Sequence, residues 1–287
     1  MRRAVQTTTV AFEHADRGRP AFVELVLPTA TAAGALAFPI LDGRVPSLAL
    51  AAAAWLFVYG SYAIDRISER DPANRAKGTV VAALALIASF AITGVAGGPR
   101  SLTLLLVFPL SVALYGTPLV ALLVPGSPIR RLKDIPYFKN FYTAFFWGLF
   151  GVFAALFSGI DEMGTWLFAF LFCAIHAFVN NTYCDVKDVA RDRADGVRTI
   201  VGALGIRRTL VLLQLVNLAG ALVVVPFVAL GIVPRWALGL CLSGIHGFVV
   251  LAVAARPGAD HERLAQVAMD IGWLAWTPVL IAFRSLG

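Results

Sequence analysis

Two acidic clusters carry the groups in this chain best suited to chemistry. The first is Asp65-Arg66-Ile67-Ser68-Glu69-Arg70-Asp71, and the second runs from Asp185 to Arg193 as Asp-Val-Lys-Asp-Val-Ala-Arg-Asp-Arg. Six of the chain's 17 acidic residues fall in these two stretches, about 120 residues apart. On a helix, Asp65 and Glu69 share a face, and so do Asp185, Asp188 and Asp192. Like charges so spaced repel unless a positive charge lies between them. Each cluster follows an apolar segment, where the helix dipole disfavours anions, so capping does not account for them. Carboxylates on two facing helix ends suit a hard, oxygen-liganded cation. Mg²⁺ takes one or two carboxylates, several waters and the phosphate oxygens of a substrate. The pattern therefore predicts a metal-bridged diphosphate, with Asp65, Glu69, Asp185, Asp188 and Asp192 as candidate metal ligands.

Basic residues near the clusters can supply the donors a diphosphate needs beyond its metal. Arg75 and Lys77 follow the first cluster, Arg130, Arg131, Lys133 and Lys139 lie between the two, and Arg198, Arg207 and Arg208 follow the second. Lys133, Lys139 and Arg198 are the chosen candidates; the competing role for any of them is to set topology. Asn180 and Asn181, one turn before the second cluster, can meet substrate or metal-bound water, or bond between helices. Glu24 and Asp270 are acids within apolar segments, the first near a membrane surface and the second a candidate cavity residue. His176 and His246 read as packed or hydrogen-bonded residues. Trp55, Phe145, Phe146, Trp147 and Trp166 can line an apolar pocket or shield a cation, or face lipid.

The elements that must position these groups are transmembrane helices. The chain is 59% hydrophobic and 14% charged, against roughly 25% charged in a soluble domain. Mean hydropathy is +0.79. Nine apolar segments are long enough to span a bilayer, at about 21–41, 45–64, 79–98, 102–124, 141–159, 165–184, 209–231, 235–255 and 264–283. Backbone in lipid must satisfy its own hydrogen bonds, so these are expected to be helices. Of the 24 Lys and Arg, all but Arg44, Arg100, Arg235 and Arg284 fall on one side of that pattern. The bias places the N-terminus and both acidic clusters in the cytoplasm. The net charge of +7 is thus topological, and no nucleic-acid partner is expected. Residues 1–20 read as a polar cytoplasmic tail without the features of a secretory signal, and 21–287 as a single membrane domain. Cys173, Cys184 and Cys241 suggest neither disulfides nor zinc.

The stretch from Asp185 to Thr199 resembles the second aspartate-rich motif of the UbiA superfamily of intramembrane prenyltransferases. There an Asp-rich segment runs into Asp-Arg-x-x-Gly-x-x-Thr, matched here by Asp192, Arg193, Gly196 and Thr199, with Asp188 and Asp185 upstream. Tyr62-Ala63-Ile64-Asp65-Arg66, with Glu69 and Asp71, resembles the first motif. The resemblance implies an all-α integral membrane bundle of nine transmembrane helices around a central cavity. It implies Mg²⁺-dependent ionisation of a polyprenyl diphosphate and transfer of the prenyl group to an aromatic or lipid acceptor, with Asp65, Asp188 and Asp192 catalytic. Arg66, Lys133, Lys139, Asn181, Arg193 and Arg198 would contact substrate. A bacterial inner membrane, with the site facing the cytoplasm, is the expected location. Ser61 stands where the first motif usually opens with Asn, and Cys184 stands four residues before Asp188, the acid coming one residue later at Asp185. Those departures leave open a membrane terpene cyclase, which uses the same ionisation without an acceptor. A transporter is the third reading, disfavoured because the main acids cluster at segment ends on one side.

Overall fold

The computed structural model describes residues 21–65, 72–124, 126, 129, 131–194 and 196–286, with backbone alone at 21–23, 65, 72–74, 112, 113, 116, 119, 120 and 133. The expected tail, 1–20, and Arg66, Glu69 and Asp71 of the first cluster lie outside them. The described chain is helical: α1 Ala21–Ala35, α2 Ala37–Leu41, α3 Leu48–Asp65, α4 Pro72–Ile92, α5 Gly98–Gly116, α6 Leu119–Leu123, α7 Phe138–Phe157 and α8 Met163–Ala194. There follow α9 Ile200–Leu204, α10 Ile206–Leu222, α11 Val224–Ala229, α12 Ser243–Ala254, α13 His261–Arg263, α14 Met269–Ile271 and α15 Trp276–Leu286. One turn of π-helix, Leu264–Ala268, and one of 3₁₀-helix, Gly272–Ala275, interrupt the last apolar segment on either side of α14.

Among the described residues, seven helical runs are long and apolar enough to cross a membrane, and Leu48–Ile64 is a shorter apolar helix. The run Arg75–Ser111 has 37 residues. Straight, it would measure about 55 Å, nearly twice the ~30 Å apolar layer. At Gly98 (φ 78°, ψ 176°) the backbone leaves the helix, directly after a π turn at Thr93–Gly97. Expected segment 79–98 and the first part of segment 102–124 both fall within that one run. Outward faces are apolar: Val211, Leu215, Leu218 and Leu222 form an exposed stripe along α10. In water such a stripe would be an aggregation surface; in lipid it is the ordinary exterior. This is a multi-pass integral membrane protein.

The interior is built from aromatic rings. Phe57 packs on Phe108 and Phe150 at centroid separations of 5.3 and 6.3 Å. The series continues through Trp147 on Phe150, Trp147 on Trp273 and Trp273 on Trp276. Phe146 and Trp147 thus join the core, whereas Phe145 is exposed and Trp166 donates its indole N–H to Ile160 O at 2.7 Å.

The closest helix pair matters most for the site. A Cβ on Gly151 of α7 would lie 2.5 Å from Ala169 O of α8, and one on Gly148 would lie 2.7 Å from the Phe170 ring. Small residues let helix backbones approach this closely in lipid. Going toward the N-terminus of α7, the same antiparallel register brings Asn140 against Thr182 and Lys139 against Asp185. Gly151→Val should force α7 and α8 apart, with a stability loss of about 1–3 kcal/mol. A lowered apparent Tm in detergent is the expected result, and an unchanged Tm would show that the contact does not limit packing.

Candidate active site

Helix α8 has 32 residues and so measures about 48 Å, some 18 Å more than the apolar layer needs. The excess of about 12 residues matches the stretch that carries the second acidic cluster. The expected segment 165–184 was drawn too short: Asp185, Asp188 and Asp192 lie inside the helix, not beyond its end. Arg191 and Arg193 in its last turn complement the helix dipole. The helix stops where Gly196, at φ 73°, enters the left-handed region and Val197 N–H donates to Asp192 O at 2.8 Å. Thr199 then caps α9, its hydroxyl oxygen accepting from Gly202 N–H at 3.2 Å. The Gly and Thr of the motif therefore have structural duties.

Asn181, Asp185, Asp188 and Asp192 lie at helical spacings of four, three and four, and form one stripe along α8. Asp185 is only 2% exposed. Its Oδ1 accepts from Lys139 Nζ at 2.7 Å and its Oδ2 from Asn140 Nδ2 at 2.8 Å. The same ammonium reaches Asp192 Oδ2 at 3.4 Å. Asp188 turns aside, to Lys187 at 2.8 Å and Arg191 at 3.2 Å. Of the three expected ligands on α8, two thus converge on one cation and the third does not. Asn140 also donates to Thr182 Oγ1 at 3.1 Å.

The start of α7 is pinned to this end of α8. Tyr137, just before the helix, holds φ 63°, uncommon for a non-glycine residue, and its N–H donates to Arg198 O at 2.9 Å. Arg198 therefore adjoins the site by its backbone, while its side chain and that of Arg193 are exposed. Lys133 sits in the 3₁₀ turn Leu132–Asp134 that leads to α7. Asp65 is the last residue of α3. Arg66 and Glu69 are outside the described residues.

Sequence reasoning missed Asn140 and Thr182. Asn140 directly follows a chosen lysine, but nothing in its own apolar surroundings marked it. Asn180 and Asn181 part company. Asn180 turns to the last apolar segment and donates to Asp270 Oδ1 at 2.7 Å. Cys184, at the position where the motif departs, faces the same way, its thiol 3.6 Å from Ala265 O. A cavity of about 30 Å³ lies nearby, lined by His176, Asn180, Asn217, Ser243, His246 and Trp273 among others. Its polar side chains have protein partners: His176 bonds Phe172 O and Ser243 Oγ, Asn217 donates to Gly244 O, and His246 donates to Ala268 O. The histidines behave as the packed residues expected.

The donor set suits a hard divalent cation. Its oxygens are carboxylate and amide, a positive charge already bridges Asp185 and Asp192, and Asn140 Oδ1 is a buried oxygen without a hydrogen-bond partner. Asn181 Nδ2 on the same stripe is a second buried atom without one. Among the described residues, no three His, Cys, Asp or Glu side chains come together. A metal here would complete its shell with water and substrate oxygens, as Mg²⁺ ordinarily does.

Two solved structures share the fold. One, described as the apo form of a UbiA homolog from Aeropyrum pernix K1, superposes with a TM-score of 0.61 at 17% identity, over 93% of this chain and 98% of that one. The other is described as a digeranylgeranylglyceryl phosphate synthase in membranes; its TM-score is 0.55 at 15% identity, over 91% of this chain and 98% of that one. The likeness to both is one of fold. In sequence, the VviA prenyltransferase profile matches residues 63–240, and the chain belongs to that family. The matched span takes in both acidic clusters, Lys139 and Asn140. No curated protein matches the sequence.

Removing the Asn140 amide strips a buried carboxylate of a charge-assisted bond, which typically costs about 1.5–3 kcal/mol. Asn140→Ala should lower the apparent Tm in detergent, and Asn140→Asp should lower it further by placing a second negative charge beside Asp185. Equal Tm values for the two variants would refute the hydrogen-bond account.

Proposed function

We propose that this chain ionises a polyprenyl diphosphate with Mg²⁺ and transfers the prenyl group to an aromatic or lipid acceptor. The observation that carries this reading is the acidic stripe on the projecting end of α8, with Lys139 and Asn140 set against it. Asp185, Asp188 and Asp192, with Asp65 and Glu69 from the first cluster, would hold the metal. When bound, Mg²⁺ neutralises the charge that develops on the departing diphosphate. Lys139, Lys133, Arg66, Arg193 and Arg198 would supply donors to the diphosphate oxygens. Asn140 keeps Asp185 aimed at the site, and Asn181 offers a buried N–H to substrate. The aromatic interior around Phe57, Phe108, Phe150 and Trp147 would exclude water and offer π-electrons to an allylic cation at its edge.

Topologically, we read Arg75–Ser111 as two crossings turned at Gly98, which makes nine in all. The basic bias puts the N-terminus and the acidic stripe on the cytoplasmic side, in keeping with a bacterial inner membrane.

The purified protein should release diphosphate when given Mg²⁺ with geranyl, farnesyl or geranylgeranyl diphosphate and a membrane-lipid or phenolic extract. Asp65→Ala or Asp188→Ala should cut that release by about a hundredfold or more. Full activity in either variant would refute the site assignment. Mass spectrometry of an acceptor-free reaction separates the two chemistries: a cyclic hydrocarbon or terpene alcohol formed alone makes the protein a cyclase, and dependence on the extract makes it a transferase.

A further inference from the structure

We infer that Lys139 is the resident counter-ion of the Asp185–Asp192 pair, and that a divalent cation enters this site together with a diphosphate and not before it. The inference rests on the metal–diphosphate reading above and concerns the order in which its parts assemble.

The geometry is specific. Lys139 Nζ lies 2.7 Å from Asp185 and 3.4 Å from Asp192, between two acids seven residues apart on one helix face. A divalent cation bridging those acids would need the space the ammonium fills. Among the described residues, the ion pairs also leave the stripe locally neutral: Asp185, Asp188 and Asp192 are matched by Lys139, Lys187 and Arg191. A free divalent ion approaching it meets little net attraction and must displace a bonded lysine. A diphosphate changes the balance, because it brings negative charge that attracts both the metal and the ammonium.

The surroundings permit the exchange. The Lys139 side chain is 31% exposed, against 3% for Asp185, so its head can swing toward the surface on its flexible stem. Asn140 holds the other oxygen of Asp185 independently of Lys139, so the carboxylate keeps its aim when the ammonium leaves. The longer contact to Asp192 is the weaker one and the first to open. Lys139 is thus placed to move from carboxylate to diphosphate.

Linkage makes the test decisive, because diphosphate and metal must raise each other's affinity by the same factor. Binding of Mn²⁺ to the purified full chain in detergent would be followed by electron paramagnetic resonance, with and without inorganic diphosphate. Protein-free samples would account for Mn²⁺ taken by diphosphate alone. Wild-type protein should bind Mn²⁺ weakly alone and about tenfold or more tightly with diphosphate. Lys139→Met should bind Mn²⁺ alone about tenfold more tightly than wild type and lose most of the enhancement by diphosphate. Lys139→Arg, which keeps the charge, should follow wild type. Equal Mn²⁺ affinity with and without diphosphate in wild type would overturn the inference and leave the metal site standing. So would a Lys139→Met protein that binds Mn²⁺ no better than wild type. Absence of Mn²⁺ binding even with diphosphate would overturn the metal–diphosphate reading itself. The wild-type comparison decides the order of entry even if the Met variant does not fold, and a second neutral variant, Lys139→Gln, then carries the test of the counter-ion.

Discussion

A carboxylate buried at the end of a transmembrane helix is the constraint on which the rest of this structure turns. Asp185 is 2% exposed, and an uncompensated charge there would cost several kcal/mol. Compensation comes from two consecutive residues of one neighbouring helix, Lys139 and Asn140. Both must arrive at hydrogen-bond distance together, which ties α7 to α8 in one register. The glycines at 148 and 151 allow the approach, and the Tyr137–Arg198 backbone bond anchors the end that would otherwise fray. The site is therefore held by helix packing, with loops contributing only at its edge.

Helix α8 works on two faces. One carries the acidic stripe toward α7. The other carries His176, Asn180 and Cys184 toward Ser243 and the irregular last segment. The π and 3₁₀ turns around α14 are where that segment brings Asp270 to Asn180 and the Ala268 carbonyl to His246. Departures from regular helix are tolerated in a membrane where neighbouring groups re-satisfy the freed backbone. Partnered polar groups on this second face knit α8, α12 and the last segment together.

The aromatic interior fits the same division. Buried rings from α3, α5, α7, α8 and the last segment touch in series beneath the polar end. An apolar body thus lies below the charged end of α8.

Much of this was legible in the sequence, because hydropathy and charge are additive along a chain. The apolar segments, the membrane setting and the motif residues Asp192, Arg193, Gly196 and Thr199 could be read residue by residue. The 3.6-residue period also placed Asp185, Asp188 and Asp192 on one face. What it left open was partnership. Asn140 and Thr182 are unremarkable in sequence and matter only because α7 lies against α8. Asn180 and Asn181 are adjacent in sequence yet serve opposite sides of one helix. The end of α8 was misjudged because a hydropathy pattern ends where lipid ends, whereas the hydrogen-bond ladder of a helix continues into water. Which charge neutralises which carboxylate depends on distances between helices, and only the packed bundle sets those.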